Sequence, residues 1–177
     1  VQIEHSALEL ELKHSKTSQT GAEFVDVTLT NTTGKDRAVT LVYSLPLDSS
    51  DATWLEDPRR SEPVQAGREY SSTAQFHLGA GGRISRYPFA AVATQTRGAG
   101  LGIDMAYPAV YRAAYNSGTN ELFVAMDLGL TAEKPTATLR LVNFEFDPHW
   151  GFRSALDAYY QTFPESFRCR TPEQGLW

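Results

Sequence analysis

Four histidines, His5, His14, His77 and His149, are the side chains of this chain best placed to move protons near neutral pH. Two of them facing a carboxylate would suffice for acid–base chemistry, with His77 and His149 as the pair to consider. All four are far apart in the chain, and no spacing such as H-E-x-x-H joins any two. They read as ordinary surface or partly buried histidines. Glu145, Asp147 and His149 alternate like ligands at a strand end, but Pro148 breaks the strand there and Asp147 suits a helix cap. A metal site is therefore not expected, and neither is a cofactor: no phosphate-cradling glycine loop or nucleophile elbow is present. Glu56, Asp57 and Asp104 could serve as a glycosidase pair only if folding brought two carboxyls to ~5–10 Å; they read as solvated loop acids. The single cysteine, Cys169, sits between Arg168 and Arg170 and has no partner within the chain for a disulfide.

The aromatic residues offer a different chemistry. Trp54, Tyr87, Tyr107, Tyr111, Tyr115 and Trp150 have flat apolar faces with a polar edge, the shape that stacks on a sugar ring. Trp54, Tyr107 and Trp150 are taken as the carbohydrate-binding candidates. Trp54 leads because the stretch from Asp48 to Gly67 has few strand features, and loops of about twenty residues are often functional. Asn31-Thr-Thr33 matches a glycosylation sequon, but its residues are already explained by a turn.

Strands must position these side chains. Val25, Val27 and Leu29 alternate with polar residues, turn chemistry follows from Asn31 to Asp36, and Val39, Leu41, Tyr43, Leu45 and Leu47 share the next face. That pattern predicts a hairpin. Tyr70 to Leu78 reads as a further strand, and Tyr87 to Thr96 is apolar enough for one covered on both faces. Val110–Tyr115 and Leu122–Leu128, joined by Asn116-Ser-Gly118, predict another hairpin. Ala137, Leu139 and Leu141 hold one phase, then Val142, Phe144 and Phe146 the other, which predicts a β-bulge or strong bend near 141–142. The expected fold is all-β: an antiparallel sandwich of roughly eight to ten strands, closed by an amphipathic C-terminal helix. Phe152, Ala155, Leu156, Tyr159, Tyr160 and Phe163 form that helix's apolar face, Asp147-Pro148 its start and Pro164 its end. The face must cover something large, either the sandwich itself or another domain.

At 177 residues and 41% hydrophobic content the chain supports one well-filled core. A net charge of −5 with scattered Lys and Arg excludes a nucleic-acid footprint, and no apolar run approaches the ~18 residues of a membrane helix. Val1 opens directly into strand-like sequence and Gly175-Leu176-Trp177 closes without a polar tail. Trimmed ends are the expectation, with residues 1–147 a sandwich and 148–177 a helix and linker toward a following domain. A processed front is compatible with secretion or a periplasmic location, which the sequence leaves open.

Arg86-Tyr-Pro-Phe-Ala-Ala-Val92, Ala109-Val-Tyr-Arg112, Tyr115-Asn116, Met126-Asp-Leu-Gly-Leu130 and Asp147-Pro-His-Trp-Gly-Phe-Arg-Ser-Ala-Leu156 carry a resemblance. Together they resemble the galactose-mutarotase-like β-sandwich that precedes the catalytic barrel in large glycoside hydrolase-like proteins. Tyr159-Tyr160, Phe163-Pro164 and the final Gly175-Leu176-Trp177 are similar to the linker into that barrel. The similarity covers about residues 85–177. A full super-sandwich of this kind is longer than this chain. The resemblance implies a non-catalytic domain that buttresses a downstream catalytic domain, its partner in the same polypeptide, and contacts carbohydrate. A stand-alone carbohydrate-binding module, or a small mutarotase-like enzyme using histidine and a carboxylate, are the alternatives.

Overall fold

The computed structural model describes residues 9–19, 21–47 and 51–170; His5 and the closing Gly175-Leu176-Trp177 lie outside them. Among the described residues, thirteen strands form two facing antiparallel sheets and a small satellite ribbon. β1 (Leu10–Gln19), β2 (Ala22–Asn31), β4 (Thr53–Asp57), β5 (Arg60–Pro63), β9 (Phe89–Ala93), β10 (Gly98–Ile103) and β13 (Thr136–Phe146) make the larger sheet. Its order is β1-β2-β13-β10-β9-β4-β5. β3 (Arg37–Pro46), β6 (Glu69–Ser71), β11 (Val110–Asn116) and β12 (Glu121–Leu130) make the smaller one, ordered β3-β12-β11-β6. β7 (Thr73–Gln75) pairs with β8 (Arg83–Ser85) in the ribbon. The fold is an all-β sandwich with one helix, α1 (Phe152–Thr162), near its C-terminal end.

The larger sheet is apolar on both faces. Val25, Val27, Trp54, Val92, Leu101, Leu139 and Leu141 point to the smaller sheet and meet Tyr115, Leu122, Val124 and Met126. Phe24, Leu55, Phe89, Ala91, Val142, Phe144 and Phe146 point the other way and pack under Phe152, Ala155 and Tyr159 of α1. A helix eleven residues long spans ~16 Å, close to the ~19 Å from β4 to β2 at ordinary strand spacing. Its first residues accordingly sit by Leu55 of β4, and Phe163, just past its end, meets Phe24 of β2 edge-on at 5.8 Å. The helix covers the sandwich itself, with Tyr160 left 40% exposed and packed on Phe167 at 4.0 Å.

Double coverage also corrects the expected bulge. β13 pairs with β2 from Thr136 to Phe144 and with β10 from Leu141 to Phe146 with no break in register. The phase of its buried residues switches because the first half faces the sandwich core and the second half lies under the helix. The register shift falls elsewhere, between Leu55 and Asp57 of β4. The expected β2–β3 hairpin is likewise not formed. Asn31 to Asp36 carries the chain from one sheet to the other, and β3 pairs with β12 instead. Asn31 is 4% exposed and locked in that crossover, its amide donating to the Lys35 carbonyl at 2.6 Å and its Oδ1 accepting from Thr33. The β11–β12 hairpin forms as expected, closing at Asn116 and Glu121. Tyr70 to Leu78 is not one strand: β6 joins the smaller sheet and β7 the ribbon.

Candidate functional site

The three aromatic candidates occupy three different environments. Trp54 does not lie in an exposed loop: residues 53–57 and 60–63 are strands, and its side chain is 2% exposed between the sheets, 6.1 Å from the Tyr70 ring. Its indole has no face to offer a ligand, so the reading of Trp54 as a surface platform is corrected. The reason is physical: β4 is a short strand between two neighbours, and charged Glu56-Asp57 and Arg59-Arg60 mask its buried half in the sequence. Tyr107 is half-buried in the turn after β10, and the Arg140 guanidinium lies 5.5 Å from its ring centroid. Arg140 is in turn held by Asp26 through bonds of 2.7 and 3.2 Å. One face of that ring is thus already engaged. Trp150 is 67% exposed.

The backbone that carries Trp150 is tied by side-chain bonds. Asp147 caps a short 3-10 turn, Pro148–Trp150, its carboxylate accepting from the His149 N–H at 2.9 Å. Asp147 caps this turn and not α1, whose own N-cap is Gly151 with no side-chain bond. The Trp150 backbone N–H donates to Ser154 Oγ at 3.3 Å, and the His149 ring meets the indole edge-on at 5.2 Å. An open cleft of about 520 Å³ runs between the tip of the β4–β5 hairpin and the start of α1, lined by Asp57, Pro58, Arg59, Tyr87 and Arg153; Arg153 follows Trp150 by three residues. Tyr87 is fixed by Phe152, 4.7 Å away, and its carbonyl accepts from Tyr111 Oη at 3.0 Å.

The charges of the cleft are unequal in freedom. Asp57 accepts from the backbone of Arg59 at 2.8 Å and of Arg60 at 2.9 Å, and pairs with the Arg60 side chain at 2.7 Å. Those amides, and then that guanidinium, hold its carboxyl below the usual range, so it is an anion and an acceptor at neutral pH. Arg59 and Arg153 form no ion pair among the described residues. Arg153 stands in the first turn of α1, which carries no acidic residue. A cation there works against the helix dipole, so stability of the helix does not explain it. Sequence reasoning passed over both arginines, although an arginine in an acid-free first turn was visible in the sequence.

The acid–base constellations do not assemble. His149 precedes the helix on the outer side of the larger sheet, whereas His77 sits in the β7–β8 loop. That loop is anchored to the smaller sheet through the Ala80 N–H and Asp127. The two are on opposite sides of the sandwich. Glu145 pairs with Arg97, Asp147 caps the turn, and Asp104, 7% exposed, accepts from the Ala106 N–H at 2.9 Å. Among the described residues, no three His, Cys, Asp or Glu side chains converge as metal ligands.

No protein-family model and no curated protein matches the sequence. Solved structures do resemble it. One is a candidate aldose 1-epimerase from Klebsiella pneumoniae, with a TM-score of 0.48 and 11% identity over 88% of this chain and 52% of that one. Another is the Slr1438 protein from Synechocystis, with a TM-score of 0.44 and 8% identity over 77% of this chain and 54% of that one. The chain thus spans about half the length of these similar structures.

Proposed function

We propose that this sandwich is a non-catalytic accessory domain of a glycoside hydrolase-like protein and that it contacts carbohydrate at the Trp150 ledge. The observation that carries the reading is a 67% exposed indole on a capped turn, three residues before Arg153 of a cleft in which Arg59 and Arg153 have no ion pair among the described residues. Trp150 supplies a flat apolar face for a sugar ring. Tyr87, Asp57 and the two guanidiniums supply donors and acceptors at the cleft for hydroxyls. Two arginines without an ion pair among the described residues favour a glycan with carboxylate groups, which they can bind in forked pairs. The carboxylates in this region are caps and ion-pair members, which suits binding and not proton transfer. The accessory role is supported by the sequence resemblance over about residues 85–177 and is independent of the ledge.

A glycan array spanning neutral and uronate-containing oligosaccharides tests the reading. The intact chain is expected to bind acidic members, with a signal that weakens with salt. The double substitution Arg59→Ala and Arg153→Ala is expected to lose that signal while remaining folded. Binding that is equal in both proteins, or confined to glycans unaffected by either arginine, would remove the acidic-glycan assignment.

A further inference from the structure

The edges of the two sheets are not protected alike. β1 ends the larger sheet with Glu11, Lys13, His14 and Lys16 along it, and β5 ends the other side with four residues that include Arg60, Glu62 and Pro63. β6, the outer strand of the smaller sheet, has only three residues. Charges, prolines and shortness are the usual means of blocking strand addition. β3 carries such features only at its two ends, Arg37 and Pro46. It pairs with β12 over all ten residues without a register shift, and from Ala38 to Leu45 it carries no charge, proline or glycine. No described residue other than those of β12 makes a backbone hydrogen bond to it.

Its side chains also leave the core unsealed. On β12, Leu122, Val124 and Met126 are 0–1% exposed, yet their partners Leu45, Tyr43 and Leu41 on β3 remain half-buried. On the outer face Val42, midway along the strand, is 56% exposed. We propose that β3 pairs with β3 of a second copy of this chain, antiparallel about a two-fold axis at Val42, joining two smaller sheets into one of eight strands. The strand is complementary to itself in this register. Val42 faces Val42, Thr40 faces Ser44 on the outer side, and Leu41 faces Tyr43 on the inner side, closing the half-covered core. Arg37 falls opposite Leu47, so no like charges meet. The Thr40 and Ser44 hydroxyls already donate to Asp127 and Glu121 of β12, so the apolar cross-strand pairs carry the contact, and its isologous closure pairs both open edges at the join.

Sedimentation velocity of the full chain over a concentration series is expected to show a monomer–dimer equilibrium. Val42→Lys places two ammonium groups opposite each other and is expected to raise the dissociation constant about tenfold or more without unfolding an exposed site. Register is read by cross-linking in a Cys169→Ser background. Val42→Cys is expected to give a covalent dimer with a short bismaleimide. Thr40→Cys is not, because its copy lies about 13 Å away. A wild-type chain that stays monomeric at every concentration overturns the proposal. So does a Val42→Lys chain that dimerises like wild type, or a Thr40→Cys chain that cross-links as readily as Val42→Cys.

Discussion

Arg153 is the residue where stability and binding pull apart. It is exposed, has no ion pair among the described residues, and opposes the dipole of α1 from the first turn. Arg153→Glu should raise the unfolding free energy by ~0.5 kcal/mol and abolish acidic-glycan binding; denaturant titration and the array read the two effects separately. Two tyrosine hydroxyls make the fold sensitive to alkali. Burial pushes Tyr111 up to about 12 from an ordinary 10.0, and burial raises Tyr159 further still, its hydroxyl donating to the Ile103 carbonyl at 2.6 Å. The neutral form is the one the fold prefers. Its stabilising contribution is therefore complete below pH 10 and is lost as pH rises through the folded pKa. Urea midpoints should fall steadily between about pH 10 and pH 12, and Tyr111→Phe should flatten that decline.

At the scale of elements, β10 explains how a sheet can carry a helix on an aromatic layer. Gly98 and Gly100 lie directly opposite Phe146 and Phe144, and Gly102 opposite Phe89. A Cβ at Gly100 would run into the Phe144 ring. The missing side chains let these rings lie against the sheet, where Phe89 and Phe144 meet Tyr159 at 5.2 and 6.0 Å. Gly100→Ala should cost ~1–3 kcal/mol through overpacking, more than the ~0.4–1 kcal/mol gained from a stiffer unfolded chain. Calorimetry should show a melting temperature lowered by several degrees. These glycines appear in the sequence as a turn, Gly98-Ala-Gly100, because nothing local announces that a phenyl ring on another strand will fill their space. The β11–β12 hairpin and the doubly covered β9 were legible because their signals are local: a turn of Asn116-Ser-Gly118 and an unbroken apolar run. The β2–β3 pairing misled because alternation specifies a strand, not the sheet it joins. Trp54 misled because its short strand lies among charges, so its burial depends on β9, nearly forty residues away.

For the whole molecule, the helix closes the outer face of the larger sheet, and the sandwich has two apolar layers in place of one. Phe152 and Ala155 are 4% and 0% exposed. A chain ended at Asp147 would leave Phe89, Phe144 and Phe146 uncovered, an apolar patch that favours aggregation. Such a chain should bind hydrophobic dyes and lose its cooperative unfolding transition; a soluble, cooperatively folding 1–147 would show that the helix is dispensable. Of the three aromatic candidates, only Trp150 is widely exposed, and exposure is what a single sequence conveys least. The most direct measurement is affinity electrophoresis through gels containing an acidic polysaccharide, comparing the intact chain with Trp150→Ala. The intact chain is expected to be retarded, and Trp150→Ala to migrate freely with an unchanged circular dichroism spectrum. Equal retardation of both proteins, or free migration of the intact chain, would contradict binding at Trp150.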